Sequence, residues 1–239
     1  GFVAVYEMIK RIPFLFSRML GALLIPFLPT ISRNVADGDG EAAATLLTKA
    51  YGLTAFIGYS GVLSIVLIQE PLVALLFNSE YLSGAPALGF LAVAVCLTVQ
   101  AGIMGQTLIA LGKPGWIIKI NIVMVAASIG LNMWMIPRFG LIGAAGAAVL
   151  AGAFSNMAQA IAVHREGIPV RVLAHLRPHA LLLLSGAVLL LNPASIPVRT
   201  AALALFLAAS FATRLVTVAQ LRALARGILP SAKQEEAES

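Results

Sequence analysis

Seven long apolar segments occupy most of this 239-residue sequence, and the charged residues fall almost entirely in the gaps between them. Roughly 20 consecutive apolar residues carry a helix across the hydrocarbon core of a bilayer. The pattern therefore points to an all-α integral membrane protein. Charged residues make up only 11% of the chain against 60% hydrophobic, whereas a soluble domain carries about 25% charged residues. A water-soluble fold could not hide this much apolar surface.

The net charge is +6, which in a soluble domain would raise the question of nucleic acid. Here the basic residues are spread over the gaps, with no aromatic-interleaved basic patch. They orient a membrane protein instead, and we expect no nucleic-acid partner. Cys96, the sole cysteine, lies inside an apolar segment. It has no intrachain disulfide partner and no companions for a metal site, so we take it as a helix-packing residue.

The segments run from about Phe2 to Ile31, Leu46 to Gln69, Ala85 to Leu111, Trp116 to Ile136, Leu141 to Val163, His179 to Leu191 and Val198 to Gln220. The sixth is short and is expected to recruit Leu173 to Leu176. Pro and Gly at the breaks suit helix ends. Pro137 to Gly140 form a tight connection between the fourth and fifth segments. The chain opens at Gly1 directly in a charged hydrophobic helix, with neither initiator Met nor signal peptide. We therefore expect an N-terminal half of the same protein upstream of it. Ser231 to Ser239 reads as a disordered polar tail.

Basic residues in alternate loops set the orientation of such proteins. Eleven fall after the odd-numbered segments, namely Arg33, Lys49, Lys113, Lys119, Arg165, Arg171, Arg177, Arg214, Arg222, Arg226 and Lys233. The opposite loops hold Arg138 and Arg199, with Glu70 and Glu80 beside them. This places the C-terminus in the cytoplasm and Gly1 on the outer face.

The first segment carries the candidate binding residues Glu7, Lys10, Arg11 and Arg18. At 3.6 residues per turn Glu7, Arg11 and Arg18 share a stripe, with Lys10 flanking it. Glu7 and Arg11 stand four apart and can pair. Arg18 has no acidic neighbour in sequence and should lie near mid-membrane, where an Arg usually faces a bundle interior or a watery cavity. We read the stripe as an anion-binding surface; the alternative is a structural Arg paired with a carboxylate in the missing half. Pro13, Pro26 and Pro29 bend this segment, marking either a cavity-lining hinge or simply the cytoplasmic helix end.

Gly143, Ala147 and Ala151 recur at four-residue steps, a seam for close helix packing. Gln100, Gln106, Asn121, Asn132, Asn156 and Gln159 are neutral polar groups expected to bond across helices, with a minority able to contact a sugar. Asp37, Asp39 and Glu41 imitate a calcium loop, but Ala42 and Thr48 stand where its turn glycine and closing Glu belong. Asp39 is better explained as a helix cap. Gly112 and Lys113 lack the glycine spacing of a phosphate loop. No metal, cofactor or nucleotide is expected, so transport energy would come from an ion or solute gradient. His164, His175 and His179 should be solvated or face lipid headgroups.

Four stretches carry a resemblance: LIPFLPTISRNVADGDGEAAATLL (Leu24 to Leu47), LLFNSEYLSGAPALGFLA (Leu75 to Ala92), TLIALGKPGW (Thr107 to Trp116) and LNMWMIPRFGLIGAAGAAVLAG (Leu131 to Gly152). Together they resemble the C-terminal half of polysaccharide-exporting flippases, in the superfamily that also holds multidrug and toxic-compound extruders. The resemblance implies a fourteen-helix protein with two six-helix lobes around a central cavity and two further helices. This chain would supply helices eight to fourteen: residues 1–167 as the C-terminal lobe core of about five helices, 168–230 as the two further helices, and 231–239 as a cytoplasmic tail.

It further implies a flippase of the inner (cytoplasmic) membrane that moves lipid-linked oligosaccharide by alternating access. Its partners would be membrane lipids, a coupling cation and the N-terminal half. Arg11 and Arg18 would be the cationic cavity residues. A cation-coupled small-molecule exporter is the alternative, and it would favour acidic residues inside helices, where Glu7 is the sole candidate. A glycan polymerase or ligase would want a large charged outer loop, which is missing here.

Overall fold

The local chemistry of the breaks decides where each helix begins. Our computed structural model describes residues 2–22, 25, 27–77, 79–192, 195–217 and 220–222, and every regular element among them is helical. In order these are α1 (Phe2–Ile9), α2 (Arg11–Ala22), α3 (Phe27–Ala36), α4 (Gly40–Leu67), α5 (Gln69–Leu76), a 3-10 turn (Ser79–Gly84), α6 (Ala85–Ala110), α7 (Gly115–Arg165), α8 (Val172–Ala187) with a 3-10 extension (Val188–Leu190), and α9 (Ile196–Ala212). Gly1, Pro26, Arg226, Lys233 and the tail 231–239, all used in the sequence argument, lie outside the described residues.

Asp39 caps α4 as expected, its side chain accepting the Ala42 N–H at 2.9 Å. Glu41 in the first turn complements the positive end of the helix dipole. The first apolar segment, expected as one interrupted span, divides into α1, α2 and α3. Pro13 explains the first division. It has no amide hydrogen for the Ile9 carbonyl four residues back, and the helix breaks at Lys10 beside that lost bond. Bonds from Lys10 N–H to Tyr6 O (3.0 Å) and from Phe14 N–H to Lys10 O (3.1 Å) carry the chain across, so α1 and α2 form one kinked rod.

Seven crossings were expected. Among the described residues three helices are long and apolar enough to cross a membrane: Gly40–Leu67, Glu80–Ala110 and Gly115–Arg165. The last is two helices. A straight 51-residue helix would be ~75 Å long, yet Trp116 Nε1 at its start donates to Glu166 Oε1 just beyond its end at 2.7 Å. The chain reverses at Gly140, whose φ of 54° and ψ of −128° suit a residue without Cβ. The connection expected over Pro137 to Gly140 narrows to that one glycine, and Pro137 stays helical. Arms 115–139 and 141–165 then run antiparallel, each ~37 Å long and sufficient for a bilayer.

Loops gather at two ends. At one, Lys113 pairs with Glu166 (3.0 Å), Arg171 approaches Glu41 (3.9 Å) and Arg177 donates to the Thr213 carbonyl (2.9 Å). Lys113 and Trp116 together hold the Glu166 carboxyl below the ordinary range, the indole bond being the larger influence. At the other end a Cβ on Gly84 would meet Ile9, Val5 and Leu141, and Glu70 receives two bonds from Arg199 at 2.5 and 2.6 Å. The basic loops grouped by sequence thus lie together in space.

The core centres on α4, with Tyr59, Leu63, Leu108, Val163 and Phe206 buried in one cluster. A second, smaller cluster of Ile9, Val73, Leu88, Leu91 and Ala145 lies against α1. By contrast Ile118, Ile122, Val125, Ile129 and Met133 of arm 115–139 are 56–74% exposed. Only hydrocarbon or another apolar surface satisfies such a face.

The Arg199 fork holds the Glu70 carboxyl at about 2, from an ordinary 4.5. A depressed carboxyl contributes stability above its unfolded value and loses it as pH falls through the folded one. The tie of α5 to α9 should therefore be complete above pH 4.5 and fade between 4.5 and about 2. Solvent screening at the half-exposed Glu70 keeps the effect modest. Thermal unfolding of the detergent-solubilised protein should show that loss, and Glu70→Gln should flatten it.

Candidate functional site

A groove of about 410 Å³ lies between the α1–α2 rod and α6. Tyr6, Lys10, Arg11, Pro13 and Phe14 form one wall; Leu91, Ala94, Val95 and Thr98 of α6, with Ala148 of α7, form the other. The walls are mostly apolar, and the charged groups sit together on the α1–α2 side. Lys10 Nζ bonds Glu7 Oε1 at 2.5 Å and lies 5.9 Å from the Tyr6 ring centre. The expected pair between Glu7 and Arg11 does not form, because Lys10, three residues on, takes the carboxylate.

That pairing leaves Arg11 with the unbalanced charge: among the described residues it makes no ion pair. Arg18 lies further along α2, exposed and outside the groove wall. Its guanidinium stacks 5.1 Å from the centre of the Phe14 ring, and Phe14 itself lines the groove. The structure thus brings Lys10, Arg11 and, through Phe14, Arg18 to one surface, with Glu7 neutralising Lys10.

A second polar cluster lies between α4, α6, α7 and α8. Tyr51 Oη donates to Asn156 Oδ1 at 3.0 Å and lies 2.7 Å from His179 Nε2. Tyr59 Oη lies 2.6 Å from His179 Nδ1 and 3.3 Å from Gln100 Oε1. His175 packs against Tyr51 with ring centres 4.3 Å apart and planes tilted by 33°. Here the expectation of solvated histidines fails for two of the three. His175 is 6% exposed and His179 half-buried, because α8 turns this face into the bundle rather than toward headgroups. Only His164 is exposed. Their four-residue spacing was the available signal, and the tyrosines were the missing partners.

Among the neutral polar groups, Asn156 and Gln100 bond across helices as expected. Asn132 and Gln159 bond within their own helix, to Ser128 and Ser155. The small-residue seam is buried, with Ala147 at 0% and Ala151 at 9% exposure.

Comparison with known proteins supports the same class. The chain is 29% identical to "Probable flippase AglR" of Haloferax volcanii over 151 residues, 62% of this chain and 32% of that protein. It is 28% identical to "Capsular polysaccharide biosynthesis protein CapF" of Staphylococcus aureus over 119 residues, 50% of this chain and 30% of that protein. It is 22% identical to "Probable low-salt glycan biosynthesis flippase Agl15" of Haloferax volcanii over 158 residues, 66% of this chain and 34% of that protein. The chain thus spans about a third of the length of the curated relatives it matches. No family model matches it.

Proposed function

We propose that this chain forms the C-terminal lobe and two following helices of a membrane transporter that flips lipid-linked oligosaccharide across the cytoplasmic membrane by alternating access. One observation carries the proposal: an apolar groove with a single unbalanced guanidinium, in a chain similar to proteins named as flippases. Such a groove suits a ligand with an anionic linkage and a bulky remainder. Arg offers planar, multidentate hydrogen bonding to phosphate. Arg11 is the primary anion contact, Arg18 a second one at the groove's edge, and Lys10 with Glu7 a paired flank.

The small-molecule exporter reading weakens at Glu7, the acid it would need, because that carboxylate is already paired to Lys10. An enzyme reading has no comparable support, since two of the matched relatives are named as flippases. Cells deleted for the gene that carries this chain should lose surface glycan and retain lipid-linked oligosaccharide on the cytoplasmic leaflet, and the intact gene should restore both. Normal surface glycan with altered drug efflux would overturn the proposal.

The orientation belongs to the same proposal. The end bearing Lys113, Arg171 and Arg177 faces the cytoplasm, and the end bearing Glu70, Glu80 and Arg138 faces outward. A cysteine at position 80 should react with an impermeant reagent added outside, and one at position 171 only after permeabilisation. The reverse result would invert the topology.

A further inference from the structure

The groove chemistry makes no use of the polar cluster around His179. Both ring nitrogens of His179 meet tyrosine hydroxyls, Tyr51 at 2.7 Å and Tyr59 at 2.6 Å. Each hydroxyl also faces an amide oxygen, Asn156 Oδ1 at 3.0 Å and Gln100 Oε1 at 3.3 Å. Counting protons shows what this arrangement can hold. A neutral imidazole brings one N–H and each tyrosine one O–H, giving three protons for four contacts. Nε2–H then donates to Tyr51, and Tyr51 donates to Asn156. In this tautomer Tyr59 donates to Nδ1, and the Gln100 oxygen goes without its proton; in the other, the Asn156 oxygen goes without that of Tyr51. An imidazolium brings a fourth proton. Both N–H groups then donate to tyrosine oxygens, both hydroxyls donate to amide oxygens, and every contact is made.

We infer that His179 is a proton-binding site, in which a proton taken up at Nδ1 turns the Tyr59 hydroxyl from the ring to Gln100. No other bond need break. Proton occupancy decides whether Tyr59 of α4 bonds Gln100 of α6, which gives the bundle two hydrogen-bonded states. Access is provided on the Arg171 side. There a small cavity of about 10 Å³ is lined by Tyr51, Arg171, Ala174 and His175, close to the size that a single water needs.

His175 Nδ1 is buried and has no partner there, although the residue is only 6% exposed. Pro178, within α8, offers no amide hydrogen to the Ala174 carbonyl. A donor or acceptor in the ring and a carbonyl thus stand ready for one water. His175 Nε2 lies 3.5 Å from Tyr51 Oη, which completes a path to His179.

The groups facing His179 are otherwise neutral: Tyr51 and Tyr59 on α4, Gln100 and the Cys96 thiol on α6, Asn156 on α7, His175 on α8 and, beyond Tyr59, the Phe206 ring on α9. Arg171 stands at the cavity mouth. Arg177 is engaged with the Thr213 carbonyl. No carboxylate among the described residues faces the ring, so the bound proton is held by oriented dipoles and can leave again. In a transporter this is a site for the coupling ion, and only that last step rests on the flippase reading.

The test is a histidine-¹⁵N NMR titration of the full gene product in lipid nanodiscs, between about pH 4 and about pH 9, the span in which imidazoles change charge. The expected result is a buried histidine that moves from the neutral pattern to imidazolium. His179→Gln should remove that signal. Tyr59→Phe, which keeps the ring packing, should move its midpoint by at least roughly half a pH unit. His175→Gln should slow exchange without abolishing the titration. A His179 ring that stays neutral throughout overturns the inference whatever the protein transports. A Tyr59→Phe midpoint equal to wild type also overturns it. Titration as expected, with glycan transport indifferent to His179→Gln, would leave the proton site standing and count against its coupling role alone.

Discussion

Arg11→Ala should reduce glycan export at least about tenfold while leaving the amount of protein in the membrane unchanged. A hydrogen bond to a charged group contributes about 1.5–3 kcal/mol, and about 1.4 kcal/mol is tenfold, so the loss of one or two such bonds to an anionic substrate suffices. Folding should be indifferent, since Arg11 is exposed and makes no ion pair among the described residues. Arg11→Lys should recover part of the activity, because the charge returns without the planar fork. Glu7→Gln should be mild or favourable, since it releases Lys10 toward the groove. Lys10→Ala should be harmful in the opposite sense, because it strands the Glu7 carboxylate beside an incoming anion. Arg18→Ala should lie between, its guanidinium reaching the groove only past Phe14. Export assays normalised to membrane abundance read all five variants. Wild-type export by Arg11→Ala would remove the anion contact from the proposal.

Gly143→Leu should cost the protein its fold, and even Gly143→Ala should be poorly tolerated. A Cβ there would run into the Met135 carbonyl and meet Phe139 Cβ at 3.1 Å. These are main-chain and first-carbon atoms of the opposite arm, so the hairpin at Gly140 would have to open. Overpacking in a tight contact costs about 1–3 kcal/mol, and an obstacle made of backbone belongs at the upper end. Two nearby glycines serve as controls. At Gly146 the obstacle is the flexible end of Met135, 2.9 Å away, and at Gly130 nothing lies within 4 Å. Gly130→Ala should be neutral or slightly stabilising in its helix. Monodispersity after detergent extraction should rank the three, with Gly143 worst. Equal behaviour of Gly143→Ala and Gly130→Ala would refute the close approach.

The prolines and glycines made much of the fold legible in one dimension. Pro13 marked the kink, Asp39 the start of α4, and Gly112 to Gly115 the break before α7. The candidate groove was legible in part. The charges of the first segment stood out because they are costly in an apolar span, but which cation would be neutralised was not readable. Glu7 has Lys10 and Arg11 within a turn of it, and spacing rules permit either pair. In the structure Lys10 takes the carboxylate.

Composition and periodicity alone determined that this chain is helical, built of apolar segments long enough for a membrane, and punctuated at Gly and Pro. Those properties follow from single residues and their neighbours along the chain. Tertiary structure alone decided the rest. It folded Gly115–Arg165 back at Gly140 and gathered Tyr51, Tyr59, Gln100, Asn156, His175 and His179 into one cluster. The physical reason is distance in sequence: His179 lies more than a hundred residues from either tyrosine, and no local rule of spacing connects them. Only packing α8 against α4 brings the imidazole between two hydroxyls, and only there does it stop being a headgroup-facing histidine.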